Sequence, residues 1–226
     1  MLFLAVVLGF FAESVRENIV ERKREFAYLE NIRQDLQKDL RSIDHLLQEK
    51  KDARQDMDGM MALYRKGDVT INLPDFYYYA KNLGLTISLQ RADDGFVQLR
   101  NAGGLRLIEN KKLLTTLQDY EELMKSVYAL QDLVAQTFQV YRIKIASILN
   151  AVTSEEMNIT MSNQGYERPS NPLPLFNAGP AQLNEIIGIA SKGVNAGDIL
   201  AKSLRQLRIK AVELDRIITE SYGDRT

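Results

Sequence analysis

Leu2-Phe3-Leu4-Ala5-Val6-Val7-Leu8-Gly9-Phe10-Phe11-Ala12 passes without a break into Glu13-Ser14-Val15-Arg16-Glu17. From Val15 onward the apolar residues recur at three- and four-residue steps: Ile19, Phe26, Leu29, Ile32, Leu36, Leu40, Ile43, Leu47, then Met57, Met60, Met61 and Tyr64. That period is the signature of one amphipathic helix with a continuous apolar face. Charged residues such as Asp35, Lys38, Asp39, Arg41, Glu49 and Lys50 fall outside the stripe on this reading and are assigned to solvated faces. No proline interrupts before Pro74, and Gly67-Asp68 supplies a stop, so the spacing predicts a helix to Lys66.

The apolar head of that helix reads as a membrane anchor over residues 1–14, carried by Leu2, Phe3, Leu4, Val6, Val7, Leu8, Phe10 and Phe11. A hydrocarbon core of about 30 Å needs about 20 apolar residues in a helix, and Leu2–Ala12 covers roughly half of it. A secretory signal is a poor fit, because no basic side chain precedes the run and Glu13-Ser14-Val15-Arg16 lacks a small-x-small cleavage site. The readings that remain are a short or mismatched membrane helix, a helix whose upstream half lies before Met1, and an apolar helix buried in an oligomer.

Composition bounds the chemistry. The chain has 226 residues, 45% hydrophobic and 26% charged, with a net charge of -1, which suits one or two folded domains and gives no basic field for nucleic acid. There is no cysteine and a single histidine, His45, so thiolate catalysis, Cys-based metal sites and most histidine acid/base designs are excluded. His45 falls between Ile43 and Leu47 and reads as solvated. No phosphate loop, G-x-G-x-x-G, G-x-S-x-G or H-E-x-x-H is present, and the Glu-x-x-His repeats of a di-metal bundle are missing. The expectation is therefore no enzyme, no cofactor and no metal.

After residue 66 the stretch 67–109 reads as a small cap. Val69–Leu73 looks extended, a short helix over Phe76–Leu83 ends at Gly84, and a second lies around Ala92–Arg100 before Gly103-Gly104. Asn110 then caps a second long helix over 110–152. Its apolar positions are Leu114, Leu117, Tyr120, Met124, Val127, Val134, Phe138, Tyr141, Ile145, Ile148 and Val152, a nearly strict heptad. Residues 153–180 form a proline-rich linker holding an apolar patch, Leu173, Leu175 and Phe176. Pro180 starts a third helix over 181–222, with Leu183, Ile187, Ala190, Val194, Ala201, Leu204, Leu207, Ala211, Leu214 and Ile218 on its seam. Gly188, Gly193 and Gly197 mark a kink or a close approach of another backbone.

Three helices with matching lengths, about 43 residues or about 64 Å each, predict an all-α fold: an elongated antiparallel three-helix, coiled-coil-like bundle with an N-terminal membrane helix and a small helical cap. On that geometry the cap closes the far end, the second helix returns, and Leu173–Phe176 lies near the bilayer. Phe76-Tyr77-Tyr78-Tyr79 is the most unusual local composition. It reads either as an apolar plug on the bundle end or as a ligand or partner surface.

Met1–Glu17, Glu21–Glu25, Tyr28-Leu29 and Asp35–Asp39, with the turn Asn101-Ala-Gly-Gly-Leu-Arg-Leu-Ile108 before Asn110, resemble a group of uncharacterised membrane-anchored proteins of Bacteroidota. The likeness is close over residues 1–40 and loose over 41–120, and its motifs are structural. Members usually carry more sequence before the apolar run. The resemblance implies a single-pass protein of the bacterial inner membrane with the bundle in the periplasm, and it supplies no activity. The positive-inside rule, read from Arg16 and Arg22–Arg24, places the bundle in the cytoplasm instead.

The functional expectation is a membrane-tethered helical scaffold or accessory subunit that works by protein contact. Its partners would be lipid and either its own copies or a membrane protein, with no nucleic acid. The alternative is an extracytoplasmic sensory bundle that binds a small ligand near Phe76–Tyr79 and signals through a partner.

Overall fold

The helical seams seen in the sequence become α1 (Leu2–Lys66), α4 (Lys111–Ala146) and α6 (Pro180–Tyr222) in a computed structural model; α2 (Leu73–Leu83), α3 (Asp94–Asn101) and α5 (Ala151–Thr160) are the shorter helices, and a 3-10 turn spans Gly104–Leu107. The structure describes residues 2–176 and 178–222, without the side chains of Leu2, Leu4, Ala5 and Tyr222. Among the described residues there is no strand, only one isolated bridge between Ser162 and Gly165. The fold is all-helical.

Helix ends follow local chemistry. Gly67, at φ 75°, adopts the left-handed conformation that closes α1, with its N–H on the Tyr64 carbonyl and the Asp68 N–H on the Leu63 carbonyl. The Asn110 side chain accepts from the Leu113 N–H at 3.1 Å and opens α4. The second long helix is shorter than expected. It breaks after Ala146, and the Asn150 side chain caps the separate α5 by accepting from the Val152 N–H at 3.0 Å. Pro74, expected to end an extended segment, instead sits in the first turn of α2, where its missing N–H costs nothing.

Two compact units share the long helices: residues 1–43, 90–124 and 206–226 form one, and 44–89 with 125–205 the other. In the first unit the 90–108 stretch does not fold over a helix end. Its Gln90 N–H bonds the Ser42 hydroxyl, Ala92 N–H the Asp39 carboxylate and Gly95 N–H the Asp35 carboxylate, so as residue number rises here it falls along α1. The segment therefore lies along α1, antiparallel to it. Tyr120 of α4 meets Asp39, and Asn110 lies by Glu25 and Phe26, which makes α4 parallel to α1. Asp119 meets Lys210 and Asn110 meets Ser221, so α6 runs the other way.

The second unit repeats that order by its own contacts. Arg54 meets Asp198 and Tyr64 meets Asn184, while Lys144 meets Glu185, so α1 and α4 are both antiparallel to α6. The Ala80 and Gly84 carbonyls accept from Tyr141 and Arg142, and the Leu89 N–H donates to the Gln131 amide oxygen, so α2 and the chain after it descend along α4. In each unit the stretch expected to be a cap lies along the long helices as a fourth, broken element. It is the return connection that two parallel helices require.

The core of α1 alternates three and four without a slip: Leu29, Ile32, Leu36, Asp39, Ile43, Leu46, Lys50, then Met57 and Met60 are all buried. Leu46, not Leu47, is the seam residue, and Asp39 and Lys50 sit on the seam rather than on solvated faces. The Lys50 ammonium lies 2.8 Å from the Glu49 carboxylate. Its stem passes over Gly197, 3.4 Å from where a Cβ would be. Gly193 makes room for Phe138, whose ring would stand 3.0 Å from a Cβ there. Gly193 and Gly197 thus lie under the Phe138 and Lys50 side chains, nothing lies within 4 Å of a Cβ on Gly188, and the helix continues unbroken through all three.

The membrane expectation is overturned. No described helix is long and apolar enough to cross a membrane. The physical reason is in the first turns of α1, where Glu13, Arg16 and Glu17 follow so closely on Ala12 that any span-length window from Leu2 takes in charge. Single-pass placement in an inner membrane is therefore not supported, and neither is a membrane helix as an element of the fold.

Candidate functional site

Helix α2 spaces Phe76, Tyr77, Tyr78 and Tyr79 at about 100° intervals, so the four rings diverge. Phe76 and Tyr77 are completely buried and offer no partner surface, contrary to that reading of the sequence. The Tyr77 hydroxyl accepts from the Asn150 N–H at 2.8 Å and donates to the Leu173 carbonyl at 3.1 Å. Burial raises its pKa, which keeps it a neutral donor. The Leu173 N–H in turn bonds the buried Thr153 hydroxyl at 2.9 Å, and the Phe176 N–H the Ile148 carbonyl at 2.8 Å.

Leu173–Phe176 is therefore pinned to α2 and α5 through its backbone, beside the aromatic run it was expected to face from the opposite end. Its side chains stay outward: Leu173 is exposed, Leu175 half-buried and Phe176 70% exposed.

Tyr78 and Tyr79 are half-buried and hold the same linker, a strap over residues 161–176, through Arg168. The Arg168 guanidinium lies 4.1 Å from the Tyr78 ring centre and 5.9 Å from that of Tyr79, and it pairs with the Asp75 carboxylate. The Tyr79 ring rests on α1 where residue 59 has no side chain, since a Cβ on Gly59 would stand 2.3 Å from it. Asp56 lies nearby. Burial first, then the Asp52 charge, push its pKa up to about 6, and Arg168 opposes both.

In the first unit the polar groups form a clasp for the return connection. Asp39 accepts from the Tyr120 hydroxyl at 2.6 Å and from the Ala92 N–H at 2.8 Å, and burial outweighs both bonds to raise its pKa. Tyr120 stacks on Phe96 with centroids 5.7 Å apart, and the Arg91 guanidinium lies over Phe96 at 4.8 Å. Arg91 and Arg100 both reach Glu121. Sequence reasoning missed this cluster, although the strict three-four count from Leu29 onward lands on Asp39 and was the available signal.

These carboxylates are consumed by structural bonds. Among the described residues no three His, Asp or Glu side chains converge as a metal site. His45 is exposed.

Two of the open surfaces among the described residues bear on function. One is the apolar start of α1: Phe3 is 81% exposed and Phe10 74%, and Val6, Val7, Leu8, Phe11, Val15 and Ile19 are exposed as well. The side chains of Leu2 and Leu4, also read as anchor residues, lie outside the described set. The other is a cleft of about 470 Å³ in the second unit, floored by Ala80, Leu85, Ile145 and Leu149 and rimmed by Lys81, Arg142 and Tyr166.

No protein-family model, curated protein or solved structure matches the chain, so nothing in these comparisons bears on the likeness of residues 1–40 to the Bacteroidota group.

Proposed function

We propose that the chain is a helical contact module, a scaffold or accessory subunit that associates through the first turns of α1 and carries out no reaction of its own. The observation that carries this reading is the exposure of Phe3, Val6, Val7, Leu8, Phe10 and Phe11. A helix apolar on all sides is stable in water only when something covers it, and contiguous exposed apolar patches mark association sites. Further copies of the chain are the occupant favoured here. The net charge of -1 raises little repulsion against self-association, and Phe3 and Phe10, like Leu8 and Val15, stand one heptad apart, the spacing of a coiled-coil seam. Lack of catalysis is supported by the way the Asp35, Asp39 and Glu121 carboxylates are occupied by bonds that hold the fold.

Sedimentation velocity over a range of concentrations tests the reading. Wild type is expected to self-associate. The Phe3→Ser, Leu8→Ser, Phe10→Ser variant, with an unchanged circular dichroism spectrum, is expected to be monomeric. A monomeric wild type, or association that survives in the variant, defeats it.

A further inference from the structure

We propose that the cleft between α2, α4, α5 and the strap binds a small amphipathic monoanion, a carboxylate carried on an aliphatic or aromatic tail. Two cations, Lys81 and Arg142, line this cleft. Elsewhere the basic side chains that touch the fold mostly meet carboxylates, as Arg33, Arg54, Arg91, Lys144 and Lys210 do.

Lys81 and Arg142 differ. The Lys81 ammonium lies 2.7 Å from the amide oxygen of Asn158 and 4.4 Å from the centre of the Tyr166 ring, both neutral. Arg142 donates to the Gly84 carbonyl at 3.2 Å and the Thr86 hydroxyl at 3.4 Å, again neutral. Neither forms an ion pair with a carboxylate among the described residues. Burial lowers the Lys81 pKa, as it does for an ammonium drawn away from water. Lys81, half-buried, and Arg142, exposed at the rim, face one concave surface as an unbalanced charge, and an anion would balance it.

The surroundings narrow the class. Glu155 lines the same cleft, accepts from the Asn158 amide at 3.0 Å and places a negative charge near Lys81. The local sum is one positive charge, which suits a monoanion and disfavours a dianion next to Glu155. The floor of Ala80, Leu85, Ile145 and Leu149 offers nothing polar from its side chains, so the remainder of the ligand is apolar. About 470 Å³ is within the usual range for a small-molecule site. A ligand there would touch α2, α4, α5 and Tyr166 of the strap at once. This proposal does not rest on self-association through α1.

The test is titration of the full chain with sodium octanoate, followed by calorimetry and by amide chemical shifts, with octylammonium and inorganic phosphate as comparison probes. Arg142 also closes the end of α2, so the main variant is Lys81→Met, which keeps the stem; thermal melting checks its fold. Saturable octanoate binding is expected, weakened about tenfold or more in Lys81→Met, with no saturation by octylammonium or phosphate. The proposal is overturned if the folded wild type shows no saturable octanoate response. It is equally overturned if octylammonium binds as well as octanoate, if phosphate binds and octanoate does not, or if Lys81→Met leaves the affinity unchanged. That last result would point to octanoate adsorbed on the exposed start of α1.

Discussion

A Cβ on Gly95 would stand 2.6 Å from the Ile32 amide nitrogen, so the first turn of α3 lies against the bare backbone of α1. Only a residue without a side chain permits that approach, and it brings the Gly95 N–H within 2.7 Å of the Asp35 carboxylate. Backbone cannot retreat as a flexible side chain can. Gly95→Ala is therefore expected to destabilise the first unit by about 2–3 kcal/mol through overpacking.

Gly188 of α6 gives the opposite sign. Nothing lies within 4 Å of a Cβ there, so Gly188→Ala should stabilise by about 0.5–1 kcal/mol through helix propensity alone. Urea unfolding of both variants beside wild type checks the pair; equal effects at the two positions would contradict the packing argument.

Tyr120→Phe removes the donor to Asp39 and leaves a buried carboxylate with the Ala92 N–H as its remaining direct bond. The expected cost is about 1–3 kcal/mol. Asp39→Asn keeps the shape and cannot charge. The double variant should then cost less than the sum of the single ones, and a double-mutant cycle measured by denaturant unfolding reads that coupling. Strict additivity would mean that the 2.6 Å contact contributes nothing.

Asp56 makes the second unit more stable in mild acid. Its folded pKa, about 6, lies above the ordinary aspartate value of 3.8, so the folded state holds the proton more tightly. Its contribution is complete below pH 3.8 and is lost as pH rises through about 6. Solvent screening reduces the effect at this half-buried site to on the order of 1 kcal/mol. Thermal melts at pH 7 and pH 5 should show a rise in Tm on acidification that is smaller in Asp56→Asn; an identical rise in both would assign it to other groups.

Arg168→Ala should free the strap without unfolding the protein. A partly exposed cation contributes on the order of 1 kcal/mol or less to global stability, whereas here it joins residues 161–176 to Tyr78 and Asp75. Chymotryptic cleavage after Tyr166 is expected to accelerate several-fold with little change in the urea midpoint. An unchanged cleavage rate would show that Tyr77 and Thr153 suffice to hold the strap.

The sequence by itself determined the three long helical stretches and most of the faces they bury. The seams of α4 and α6 follow the apolar positions read from the chain, with Leu113 replacing Leu114 and Val152, read as the last seam residue, exposed in α5; Gly67, Asn110 and Pro180 set ends where expected. Period and caps are written in residues within one or two turns of each other, so they can be read locally.

The tertiary structure alone decided direction and partner. An apolar stripe carries no address, and the pattern of α4 serves equally whether it runs with or against α1. The bonds from Gln90, Ala92 and Gly95 back to Ser42, Asp39 and Asp35 made the supposed cap a fourth element and set α4 parallel to α1. They also drew Asp39, a charge that local reasoning placed in water, into the core. Only residues far away in the chain supply the hydrogen bonds that make such burial tolerable.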